Sequence, residues 1–160
     1  MSRMEPITTL DRTPQAMPQV PEFGDNFRLP PLGTATEEIT KPVDFAPNLR
    51  DAITRGQQTG RPVVVVFEED NCGWCKRFDS ELSKPAVSAL GGDAIFVKAS
   101  PSKDPAAQAL ARNLGVDAYP TVSVLNVSDH GIMERTRMVG YMTADDFASR
   151  FRTHGQTQMA

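Results

Sequence analysis

The chain has 160 residues, 39% of them hydrophobic, with 17 basic against 20 acidic residues and a formal net charge of -3. That length supports one core of ordinary size and a single domain, and the charge balance gives no pull toward nucleic acid or an anionic membrane surface. No run approaches the roughly 20 apolar residues of a bilayer span, and Met1 to Val20 carries prolines, acids and bases where a signal peptide has its apolar core. A cytoplasmic protein with no nucleic-acid or membrane partner is expected, signal-independent export and a chain already stripped of its signal being the alternatives.

Residues 1–42 contain seven of the 13 prolines. Such a segment cannot build its own core. It reads as a Pro-rich leader, or as an arm lying against the domain or a protein partner through Phe23, Phe27, Leu29 and Leu32. From Asp44 the texture changes. Phe45, Leu49, Ala52 and Ile53 recur at helical spacing and predict a helix over 44–57, ended by Gly56, Gly60 and Pro62. Val63 to Phe67 is an unbroken β-branched run ending in Phe, as in a strand covered on both faces. Glu68, Glu69, Asp70 and Asn71 make the turn that follows. A helix from Cys72 or Gly73 toward Leu90 is expected to bury Cys75, Phe78, Leu82 and Val87 and to kink or divide at Pro85. A second strand over 94–99, a helix over 104–114 stopped by Gly115, and a third strand over 121–127 come next. Asp129-His130-Gly131 turns the chain into a fourth strand over 133–139. A last helix over 143–151 opens on a Thr143 cap with Asp146 three positions on. The order α, β, α, β, α, β, β, α predicts an α/β fold, a mixed sheet with helices on both faces.

Only two cysteines occur, in Cys72-Gly73-Trp74-Cys75. Dithiol exchange needs one thiolate exposed enough to attack and a second thiol close enough to resolve the mixed disulfide. At a helix start, Cys72 sits where free N–H groups and the helix dipole favour a thiolate, and Cys75 lies one turn deeper. Cys72 is therefore the candidate nucleophile and Cys75 the candidate resolving thiol, together a redox-active disulfide. Gly73 admits a substrate backbone, Trp74 offers an apolar rim, and Lys76 and Arg77 add positive charge favouring the thiolate if their heads turn back toward it. Inert core thiols are the plain alternative. A zinc site is disfavoured, because His130 and His154 are the only imidazoles and both are remote; no metal and no cofactor beyond the dithiol itself are expected. The acidic turn reads either as solvated surface or as a proton relay.

Together with Gly115-Val116-Asp117-Ala118-Tyr119-Pro120-Thr121, the C-G-x-C-K motif at Cys72 to Lys76 resembles the thioredoxin superfamily over about residues 43–153, leaving 154–160 as a short tail. The resemblance implies a thioredoxin-like fold with a four- or five-stranded mixed sheet. Local reasoning alone makes the Tyr119–Pro120 bond trans; the resemblance implies cis, with Pro120 beside the cysteines and the Tyr119 backbone pairing with an extended substrate. It also implies that Gly140 stands at the opposite rim and that Phe67 packs beneath the active helix. Three positions depart from thioredoxin. Val66 stands where that family keeps a buried acid, which leaves Glu68, Glu69 or Asp70 to replace it through water; Asn71 replaces a Trp, and Trp74 a Pro. The neighbouring acids raise the Cys72 pKa while the helix start lowers it, so an intermediate potential, different from the roughly −270 mV of thioredoxin, is favoured.

The expected function is a protein-disulfide oxidoreductase acting on protein or peptide thiols and disulfides and reset by an external reductant or reductase. A binding or assembly module with little turnover, a disulfide isomerase or oxidant, and a signal-independent exported protein are the rival readings.

Overall fold

A computed structural model describes residues 43–156. The expectations for the leader and for Phe23, Phe27, Leu29 and Leu32 lie outside these residues. The elements are α1 (Leu49–Thr59), β1 (Val63–Phe67), α2 (Gly73–Leu82), α3 (Pro85–Ser88), β2 (Ile95–Ala99), α4 (Pro105–Leu114), β3 (Thr121–Ser128), β4 (Gly131–Val139), α5 (Ala144–Arg150) and a π-helical turn, Phe151–Gly155. The strands form one four-stranded sheet in the order β2-β1-β3-β4. β1 runs parallel to β2 and antiparallel to β3, and β4 is antiparallel to β3. The sheet is mixed, with helices on both faces: this is the α/β thioredoxin-like fold.

The β-branched run makes β1 a central strand with every residue buried. Its side chains alternate between two cores. Val64 and Val66 pack with Phe78, Leu82, Phe96, Phe147 and Phe151, on the face covered by α2, α3 and α5. Val63, Val65 and Phe67 pack with Leu49, Ala52, Ala107, Leu110 and Ala111, on the face covered by α1 and α4. Phe67 therefore does not lie beneath the active helix. An unbroken apolar run has no alternation to say which residue faces which layer.

The first helix also differs from expectation. Asp44 to Pro47 are not helical; Phe45 makes a parallel bridge to Phe96, and the Ala46 N–H donates to the Phe96 carbonyl at 2.8 Å. A proline disfavours helical dihedrals in the residue before it, so α1 begins only after Pro47, where Asn48 Oδ1 accepts the Asp51 N–H at 2.8 Å. Gly56 does not end α1. A Cβ there would meet Val63 Cγ2 at 2.5 Å, so this glycine permits close packing of α1 on β1, and left-handed Gly60 ends the helix.

Pro85 divides the expected long helix in two: α2 stops at Leu82, and Pro85 occupies the first turn of α3, where its missing N–H costs nothing. Asp104 caps α4, and Thr143 caps α5 by accepting the Asp146 N–H. The chain then continues past Phe151 into the π turn, whose Gly155 leaves room for the Phe151 ring.

Candidate active site

The dithiol sits where β1 ends and α2 begins. Cys72 is the N-cap of α2 in extended conformation, and its Sγ accepts the Cys75 N–H at 3.1 Å. Cys72 and Cys75 are joined as a disulfide with Cα atoms 5.2 Å apart. The two sulfurs differ in access: Cys72 is part-exposed, whereas Cys75 is 4% exposed. A Cβ on Gly73 would meet nothing within 4 Å, so the surface over the pair is open to an approaching chain.

The acidic turn is sorted by its partners. Glu69 accepts the Ser102 N–H at 3.1 Å and hydroxyl contacts from Ser102 and Ser100, while Asp70 pairs with Lys103. Both acids thus tie the turn to the loop after β2. Glu68 is different. It is half-buried, it continues the alternation of Val64 and Val66 toward the α2 face, and no described residue gives its side chain a hydrogen bond. Burial pushes its carboxyl above the ordinary range; Asp79 and Asp70 add to the rise, against Lys98 and Lys103. Lys98 Nζ lies 2.7 Å from Asp79 Oδ1, a close ion pair rather than an aligned hydrogen bond. Asp79 stands one turn along α2 from Cys75, on the same helix face.

On the other side of the dithiol, Trp74, Tyr119, Pro120 and Gly140 line one groove of about 340 Å³. These are the four candidate substrate-binding residues, and the fold brings them together from three segments. The Tyr119–Pro120 bond is cis. Among the described residues the Tyr119 backbone N–H and C=O take part in no backbone pairing, and the Pro120 carbonyl accepts the Gly140 N–H at 2.8 Å. Gly140 has φ +88°, a dihedral that L side chains rarely adopt. Trp74 is 56% exposed. Arg77 lies over its ring, 5.0 Å from the centroid, so its head is spent on the indole. Lys76 is exposed. His130 and His154 are both exposed, at the β3–β4 turn and in the π turn.

Two residues escaped the reading of the sequence. Tyr141 is the fifth wall of the groove, its ring 5.8 Å from that of Trp74. Glu81, only 8% exposed, accepts the Tyr141 hydroxyl at 3.1 Å, the Ala144 N–H at 2.8 Å and the Lys84 ammonium at 2.8 Å. The Lys84 contact and the Ala144 N–H hold its carboxyl below the usual range against the cost of burial. An acid on the inward stripe of α2, beside Phe78 and Leu82, was the available signal; two of its three partners lie 60 and 63 residues away.

The thioredoxin-like domain family matches residues 49–155. The chain belongs to that family. It is 27% identical to a thioredoxin from Thermus thermophilus, with a TM-score of 0.62 over 70% of this chain and 86% of that one. A thioredoxin from Nicotiana alata is 28% identical, with a TM-score of 0.52 over 65% of this chain and 82% of that one. The chain is also 30% identical over 95 residues to the thiol:disulfide interchange protein DsbD of Salmonella typhimurium, spanning only 17% of that protein's length. A thioredoxin-like fold carrying a C-x-x-C disulfide is consistent with a general thiol–disulfide oxidoreductase. Among the described residues no helix is long and apolar enough to cross a membrane.

Proposed function

We propose that residues 43–153 form a protein-disulfide oxidoreductase that works through a Cys72/Cys75 dithiol–disulfide cycle. The observation that carries this reading is the asymmetry of the pair: Cys72 part-exposed at a helix cap, Cys75 buried one turn below it. The Cys72 thiolate attacks one sulfur of a substrate disulfide, forming a mixed disulfide and releasing the other substrate sulfur as a thiolate. Cys75 then loses its proton and attacks Cys72 Sγ. That step closes the Cys72–Cys75 bond and releases the second substrate thiol, and two electrons have passed to substrate. An external reductant or reductase supplies two further electrons to reopen the Cys72–Cys75 disulfide and is itself oxidised.

The Tyr119 backbone and the apolar faces of Trp74, Pro120 and Gly140 hold the substrate segment during exchange. With Val66 unable to take a proton, Glu68 receives that of Cys75 through water and passes it to solvent. Its raised pKa makes it a better proton acceptor than an ordinary carboxylate. Likeness to a thiol:disulfide interchange protein supports protein thiols as the substrate class. A cytoplasmic location belongs to the same proposal and is tested by fractionating cells after alkylation in place.

The deciding experiment equilibrates the full chain with graded thiol buffers and counts alkylated cysteines by mass, alongside the Cys75→Ser variant. A reversible two-electron midpoint between about −180 and −270 mV is expected, with Cys75→Ser trapping mixed disulfides at Cys72. A bridge that no buffer opens and closes reversibly would leave a binding module and end the proposal.

A further inference from the structure

The substrate groove has a wall that the dithiol chemistry does not require. Trp74 and Tyr141 set two aromatic rings beside Pro120 and Gly140, while the Tyr119 side chain packs against the core under α1 and α4, so the groove offers flat apolar faces and few side-chain polar groups. Tyr141 is on a loop between β4 and α5 and is exposed on one side. A loop tyrosine on a surface ordinarily samples several rotamers. Here its hydroxyl donates to a carboxylate that is itself held at both oxygens, by Lys84 and by the N–H of Ala144 at the start of α5. The ring is thus pinned across two elements beside Trp74, whose ring also carries the Arg77 guanidinium.

We propose that Tyr141 is a specificity-determining residue, that Glu81 is the positioning residue that holds it, and that the groove selects disulfide-bearing polypeptide segments with an aromatic or large planar apolar side chain beside the cysteine. Aromatic rings prefer offset or edge-to-face neighbours at 4.5–7 Å. A groove already walled by two rings 5.8 Å apart offers such a neighbour at little ordering cost. A small or anionic neighbour to the substrate cysteine gains nothing from those faces. Glutathione, which carries no such side chain, serves as the reference substrate. This inference rests on the oxidoreductase reading but is read out separately from it.

Trp74 is the single tryptophan of the chain, so its emission reports on the groove without turnover. The test uses two synthetic peptide disulfides that differ only in Phe or Gly beside the cysteine. Their exchange rates are measured with the full chain, and their binding is followed by Trp74 fluorescence in a Cys72→Ser/Cys75→Ser background. The Phe peptide is expected to bind and exchange about tenfold better than the Gly peptide, mostly through KM. Tyr141→Ala should remove that preference while costing the peptide far more than glutathione. Tyr141→Phe and Glu81→Gln should each cut the preference about threefold. Combined, they should do no more than either alone, because Glu81 acts through the tyrosine hydroxyl. Additive losses in the double variant would overturn the role of Glu81. Equal binding of both peptides, or a preference surviving Tyr141→Ala, would overturn the whole inference even if the dithiol cycles normally. Selective Phe-peptide binding in a protein that does not cycle would uphold the groove and sink the enzyme.

Discussion

The two faces of the sheet are built on different principles. The face under α2, α3 and α5 is filled by phenyl rings: Phe78, Phe96 and Phe151 each stand 6.1–6.4 Å from Phe147, and Phe45 closes on Phe96 from the sheet edge. It also buries a carboxylate, Glu81, whose partner Tyr141 lines the groove beside Trp74. The opposite face, under α1 and α4, uses small residues, with Ala52, Ala107, Ala111 and Gly56 letting helix backbones approach the sheet. Its polar insertions are Thr121, whose hydroxyl donates to the Ala118 carbonyl, and Ser123, whose hydroxyl donates to Glu134, itself paired with Arg137; that guanidinium also donates to the carbonyls of Leu114 and Gly115 at the end of α4. Large interlocking rings carry the redox helix, and close-packed small residues back it. The first arrangement is sensitive to loss of volume and the second to its addition.

The sharpest break follows from removing the ring at the centre of the first face. Phe147→Ala should cost about 3–5 kcal/mol, read by urea denaturation, whereas a truncation at the already small Ala107 has nothing comparable to lose. Next comes the carboxylate. Glu81→Ala leaves the buried Ala144 N–H and the Tyr141 hydroxyl unpaired and should cost about 2 kcal/mol, with Glu81→Gln recovering most of it. Because the Glu81 pKa is lowered in the fold, its contribution is complete above the ordinary carboxylate range and is lost as pH falls through the lowered value. The gap between wild type and Glu81→Gln should therefore close in acid.

The opposite face is broken by adding a methyl group. Gly56→Ala gains about 1 kcal/mol of helix propensity but drives a Cβ to 2.5 Å from Val63 Cγ2. Overpacking of about 1–3 kcal/mol should win, with net destabilisation of about 1 kcal/mol; a stabilised variant would mean that α1 shifts freely on β1. The smallest effect is at Glu68. Its raised pKa opposes folding once pH passes the ordinary carboxylate range. Glu68→Gln should raise Tm by about 1–2 °C at neutral pH, with no gain near pH 3. The same change should prolong the mixed disulfide trapped during turnover; unaltered resolution would remove Glu68 from the proton route.

Elements bounded by local chemistry were legible in the chain: Asp104 and Gly115 around α4, Thr143 before α5, Cys72 at the head of α2, and the β-branched run of β1. So was the gathering of Trp74, Tyr119, Pro120 and Gly140, although only through resemblance, since nothing local draws residues 74 and 119 together. Phe67 and Phe45 were misplaced because one sits in a run without alternation and the other pairs with Phe96, 51 positions on in sequence. Glu81 and Tyr141 went unseen for the same reason: a buried carboxylate gains meaning only from its partners, and apart from Lys84 those come from the far end of the chain.

β4 ends the sheet, and among the described residues its outer edge meets no further strand. Ile132, Met133 and Val139 are exposed along it, a composition that invites edge-to-edge association. The pairing with β3 shifts between Val124 and Leu125, which leaves Arg135 without an opposite residue in the middle of the strand. A kinked edge with a cation at its centre is a poor template for a second copy. The irregularity at Arg135 thus works against strand addition along this edge.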